Sequence, residues 1–229
     1  MRNHNILFAL LIFSLIAPPV LAHAIGGRDA AFVQATVGAD PFPFLYLGAK
    51  HMVTGYDHLL FLLGVIFFLY RLRDILLYVT LFSLGHSTTL ILGVLFDLGV
   101  SSHLVDMVIG LSVCWKAFEN LGGFRKLGWP IDNRIAVGGF GLIHGLGLAT
   151  KLQDLGLNQD GLLANLIAFN IGVEIGQVVA LSIILLAMTL WRTTKSFGRY
   201  ATAANALLFL AGVVLAGEQL AGYFLAGDA

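Results

Sequence analysis

Apolar residues run along this chain in long blocks, broken by short polar stretches. A run of about twenty apolar residues is enough to cross the hydrocarbon core of a bilayer. The pattern predicts six such helices, near His51 to Leu69, Ile75 to Phe96, Leu104 to Leu121, Ile135 to Leu152, Leu162 to Trp191 and Tyr200 to Phe224. The fifth is long enough to tilt or protrude. Upstream, Gly26-Gly27, Asp40 and Pro41-Phe-Pro43 are turn-forming residues. They predict an external N-terminal segment (23–50) ahead of a polytopic helical domain (51–229). The first residues read as a signal peptide: Arg2 and His4, an apolar run from Ile6 to Ile16, then Pro18-Pro19 and small residues. Cleavage is expected after Ala22, giving a 1–22 signal, or after Ala24. A cut after Ala22 leaves His23 first, where its amine and imidazole together form a metal chelate.

The basic residues then orient the helices, because short loops rich in Lys and Arg stay cytoplasmic. Arg71 and Arg73 follow the first span, Lys116, Arg125, Lys126 and Arg134 lie at or between the ends of the third and fourth, and Arg192, Lys195 and Arg199 separate the last two. On the opposite side lie only Arg28, Lys50 and Lys151. The fold expected is an all-α integral membrane protein with about six transmembrane helices after a cleaved signal peptide and both mature termini external. A bacterial-type inner membrane is its expected location.

Composition agrees with lipid as the solvent: 58% of the 229 residues are hydrophobic and only 11% charged, above the apolar share of soluble domains. Thirteen basic and thirteen acidic residues cancel, leaving no basic face for nucleic acid. The single cysteine, Cys114, has no second cysteine to pair with and reads as a small packing residue. Any metal site must therefore use imidazole, carboxylate and amide groups.

Those groups fall on helix faces. His51, Thr54 and His58 are spaced i, i+3 and i+7, with Asp57 beside them. Ser83 and Ser87 flank the face of His86, and His144 lies among glycines. Asn170, Glu174 and Gln177 form a stripe at i, i+4 and i+7. Counted at about 1.5 Å per residue, Asp57, His58, His86, His144 and Glu174 all fall roughly 9 to 18 Å below the outer surface. Gly141-xxx-Gly145 and Gly172-xxx-Gly176 permit close helix packing at that depth. Carboxylates there cost a few kcal/mol or more, and imidazole with carboxylate is the donor set of a divalent transition metal. Asp106, Glu119 and Glu218 lie near span ends and read as boundary residues. A faint internal echo, F-x-L-x-H at Phe82 to His86 and at Phe140 to His144, suggests a parallel duplication of helix pairs.

The run His51-Met-Val-Thr-Gly55-Tyr-Asp57-His58-Leu-Leu-Phe61, with Gly85-His86-Ser87-x-Thr89-Leu90, Phe140-Gly141-Leu-x-His144-Gly145-x-Gly147 and Phe169-Asn170-x-Gly172-Val173-Glu174-x-Gly176-Gln177, resembles the HupE/UreJ family of membrane proteins. The first run is also similar to the His-Asp-His signature of the wider nickel and cobalt transporters, with one residue more between the first His and the Asp. The resemblance implies a permease for a divalent metal, nickel first and cobalt, copper or zinc as alternatives. It implies metal ligands His51, Asp57, His58, His86, His144 and Glu174, with Ser87, Asn170 and Gln177 as supporting polar groups and no catalytic residue. A functional link to hydrogenase or urease maturation is implied as well. The residue inventory alone leaves two other readings open. One is an intramembrane zinc-dependent hydrolase, with three histidines on zinc, Asp57 or Glu174 as base and Ser87 assisting. The other is a non-transporting metal-binding accessory protein with a sealed inner half.

Overall fold

A computed structural model describes residues 27–129 and 131–226. The expected signal peptide with its cleavage point, and His23, lie outside them. The described residues form helices and connecting turns, with no strand among them. In chain order the helices are α1 (Arg28–Ala35), α2 (Pro41–Thr54), α3 (Tyr56–Ile66), α4 (Leu72–Leu95), α5 (Ser102–Asn120), α6 (Gly123–Lys126), α7 (Asn133–Asp154), α8 (Leu162–Arg192) and α9 (Lys195–Ala226).

Four of these, α4, α7, α8 and α9, are long and apolar enough to cross a membrane. Their outward faces carry Ile171, Ile175, Ile183, Leu186, Leu207 and Leu210 exposed, an apolar surface suited to hydrocarbon. Helix α5 matches the expected third span in position, but Asp106, Lys116 and Glu119 lower its apolar character. The expected first span departs most from its anticipated form. Helix begins at Pro41, ten residues before His51, and is interrupted at Gly55, leaving pieces of 14 and 11 residues. Two prolines in the first turn of α2 explain the early start, since an N-terminal Pro sacrifices no helical hydrogen bond. At the break, the Gly55 amide closes α2 on the His51 carbonyl (2.8 Å), and its own carbonyl accepts the Leu59 N–H (3.0 Å) to open α3.

Glycines decide which helices touch. A Cβ on Gly172 would run into the Leu45 carbonyl, one on Gly48 into the Phe169 carbonyl, and one on Gly176 would sit 2.6 Å from the Ala49 oxygen. From the Asp40–Asn165 contact through Leu45–Gly172 to Ala49–Gly176 both chains advance together, so α2 runs parallel to α8. Glycines 85, 141 and 145 likewise seat α7 on α4: Phe82 lies against Gly141, His86 against Gly145, and Ala149 against Gly93. That pair is parallel too, which puts the two F-x-L-x-H echoes side by side. Helices α5 and α9 pack antiparallel, His103 against Gly222, Gly110 against Ala216 and Cys114 against Gly212. Cys114 is the packing residue its surroundings predict.

Helix α3 is enclosed by the others. From Asp57 to Ile66 every residue is buried except Leu59, which is half-buried; a helix apolar on all sides belongs inside a bundle. Its last carbonyls lack helical partners and are met by side chains from two neighbours. Asn120 of α5 donates to the Gly64 oxygen (2.9 Å), and Arg192 of α8 donates to those of Ile66 and, at 2.8 Å, Phe67. The cationic guanidinium also suits the negative end of the helix. The C-terminal end of α3 is thus held by α5 and α8 together.

Candidate metal site

The break brings the chemistry together. His51 sits in the last turn of α2 and Asp57 and His58 in the first turn of α3. A Cβ on Gly55 would lie 3.0 Å from the His51 oxygen, 3.1 Å from Asp57 Oδ1 and 3.1 Å from His58 Nδ1. Its φ of −73° is open to any residue, so glycine is needed here for space. Around His58 stand three further imidazoles, His51, His86 and His144, at ring-centroid distances of 5.2, 5.6 and 5.0 Å. His86 comes from α4 and His144 from α7.

Hydrogen bonds fix how two of these rings present themselves. Asp57 Oδ1 accepts the His58 backbone N–H at 2.8 Å and stands 2.9 Å from His58 Nδ1. A carboxylate accepts, so Nδ1 of His58 bears the proton and its Nε2 keeps the lone pair. His144 Nδ1 lies 2.7 Å from the Phe140 carbonyl oxygen, which likewise makes Nδ1 the donor. In both rings Nε2 is buried and has no hydrogen-bond partner, and in His86 both ring nitrogens are so placed. Buried polar atoms are nearly always satisfied. Three histidines from three helices, each at most 2% exposed, leave ring nitrogens unused at one place.

A narrow pocket adjoins them, lined by His51, Asp57, His58, His144, Asp106 and Lys151 among others. Its interior has room for about one water molecule. On another side the histidines meet aromatic rings: Phe61 and Phe82 stand 5.1 and 5.0 Å from His144. His58 meets the other three imidazoles edge to face, and among the described residues no three His, Cys, Asp or Glu side chains already form a group able to hold a metal ion.

Glu174 stands apart from the pocket. Its Oε1 accepts from Ser87 Oγ at 3.5 Å, and one turn further along α8 the Gln177 amide donates to Ser83 Oγ at 2.8 Å. Together they make a polar ladder between the antiparallel helices α4 and α8. Asn170, on the same stripe, has its buried Oδ1 without a hydrogen-bond partner. Of the sequence-derived set, His51, Asp57, His58, His86 and His144 are thus gathered, and Glu174 with Ser87 and Gln177 forms an adjacent polar seam.

Sequence reasoning missed Asp106 and Lys151. Lys151 Nζ pairs with Asp106 Oδ2 at 2.7 Å across α7 and α5. Asp106 is only 6% exposed, not a solvated boundary residue. A signal was present: His144, Gly147 and Lys151 are spaced i, i+3 and i+7 and share a face of α7.

Broken central helix and buried imidazoles describe a multi-pass helical membrane protein with metal-type donors in its interior. The chain belongs to the HupE/UreJ family: the family model described as HupE / UreJ protein matches residues 27–227. This family is generally linked to nickel or other metal transport or to accessory roles, with a functional connection to hydrogenase and urease nickel handling, and it is not known as an enzyme family. No curated protein and no solved structure shows significant similarity to the chain.

Proposed function

We propose that the protein carries a divalent transition metal, nickel foremost, inward across the inner membrane through His51, Asp57, His58, His86 and His144, with Glu174 next in line. The observation that carries this reading is the set of buried, unpartnered Nε2 atoms on His58, His86 and His144. Neutral imidazole nitrogen is a metal donor, and an outer-shell carboxylate or carbonyl on Nδ1 orients such a ring and raises its basicity. Cobalt, copper and zinc suit the same donors, so geometry and availability supply selectivity. Six crossings follow if α2 and α3 are one broken span and α5 another. The basic residues then put both mature termini outside, with the signal peptide removed and His23 as an auxiliary chelate at the new N-terminus.

Entry of a dication into a negative interior gains about 4.6 kcal/mol per 100 mV, twice the single-charge value. Ser87, Asn170 and Gln177 offer the ion neutral oxygens along the α4–α8 seam on its way from the histidines. The accessory reading draws support from a different feature, the Phe61 and Phe82 rings packed against the histidines, which suit a sealed inner half. Purified protein in liposomes, offered Ni²⁺, Co²⁺, Cu²⁺ and Zn²⁺ separately, separates the two. Accumulation of Ni²⁺ inside is expected. Binding with no accumulation of any of the four would replace transport by the accessory role.

A further inference from the structure

The Asp106–Lys151 pair lies in the wall of the same pocket as the histidines, and folding gives it little reason to be there. A buried ion pair contributes little net stability against apolar replacements, because two charges must be desolvated to form it. Here the two helices give it space: α7 has Gly147 at the contact, where a Cβ would lie 3.2 Å from Asp106 Oδ1. The pair joins the first turns of α5 to the last turn of α7, at one end of the bundle. The pair shares the lining of that pocket with His51, Asp57, His58 and His144, and the buried Nε2 atoms of His58 and His144 are unpartnered.

We propose that Asp106 and Lys151 are the outer gate of the metal path, the Lys151 ammonium holding the Asp106 carboxylate until a divalent cation displaces it on the way to the histidines. This rests on the transport reading above. A tethered ammonium is present at high effective concentration, and a free monovalent ion brings no more charge than it does. A divalent ion brings twice the charge, and imidazole donors lie next to the carboxylate it takes. The gate therefore selects by charge ahead of the site that selects by ligand chemistry. Lys151 acts as a built-in competitor and Asp106 as the first ligand.

The two halves of a merely structural pair would fail together, whereas a competitor and a ligand must differ in sign. Ni²⁺ uptake into proteoliposomes, measured against external Ni²⁺ at matched protein amounts, reads this directly. Lys151→Met is expected to lower the half-saturating concentration about tenfold and Asp106→Asn to raise it about tenfold, with the Asp106→Asn/Lys151→Met double variant close to Asp106→Asn. Should Lys151→Met not accumulate in the membrane, Lys151→Gln, whose amide still donates to Asp106 without charge, is expected to shift in the same direction. Shifts of the same sign in both members, or no shift in either, would overturn the gate while leaving transport intact. Absence of Ni²⁺ uptake by the wild type would overturn transport and the gate together.

Discussion

At the scale of single residues, the main device is the carboxylate behind an imidazole. Asp57 accepts hydrogen bonds from both the backbone N–H and the Nδ1–H of His58, so Asp57→Asn removes the charge that orients the ring and His58→Ala removes the ring. Each is expected to cut specific metal uptake at least tenfold, in keeping with the usual cost of losing an outer-shell partner, with membrane levels close to wild type. Normal uptake in both, at matched protein levels, would dismiss the site. Protons supply a second test. Imidazole binds metal only when neutral, so protons compete with the ion. Protonation thus opposes binding, and affinity falls as pH falls. With several histidines as ligands, apparent affinity should fall more than tenfold per pH unit once they begin to protonate. Calorimetry in detergent, taken down through the pH range over which the protein stays folded, should show a steep loss for wild type and a shallower one for His86→Gln or His144→Gln. The same slope in wild type and both variants would make these histidines structural.

At the scale of elements, the bundle depends on backbone approaches that only glycine permits. On Gly145 an added Cβ would run into the His86 carbonyl, and on Gly172 into that of Leu45. Either alanine is expected to cost about 1–3 kcal/mol through overpacking, seen as a lower unfolding midpoint in detergent. Gly139→Ala and Gly217→Ala meet open space and should leave the midpoint unchanged or slightly raised, since alanine favours helix. Equal effects at all four positions would mean that the helix contacts are misassigned. The sequence made much of this visible. Both small-xxx-small motifs sit at helix contacts, and the F-x-L-x-H echo marks two parallel neighbours. What periodicity concealed was the split of the first span, because α2 and α3 are both apolar and a hydropathy window runs through a single glycine without pause. Asp106 was misread for a related reason: distance from a helix end measures depth along the axis, not which way the side chain faces or what meets it from the next helix.

For the molecule as a whole, orientation rests on where Arg and Lys fall. Reporters fused after Arg125 or Lys195 should report cytoplasm, and a reporter at the C-terminus should report the outer side, as an even number of crossings with a cleaved signal requires. A cytoplasmic C-terminus would mean that either α5 or the broken α2–α3 pair does not cross. The polar stripes were legible in the sequence as faces, and so was a common depth for three histidines, His58, His86 and His144. That Glu174 joins Ser87 in a seam beside the cluster depends on how α4 and α8 are rotated against each other, which spacing along one helix does not contain.

The central claim is that the buried histidines hold the metal itself. X-ray absorption at the nickel edge, on protein loaded with one equivalent of Ni²⁺ in detergent, looks at the ion's own ligands. Wild type should show the multiple-scattering pattern of several imidazoles, and His58→Ala and His144→Ala should each lose part of it. A shell of oxygen donors without imidazole in the wild type, or one unaltered by either substitution, would contradict it.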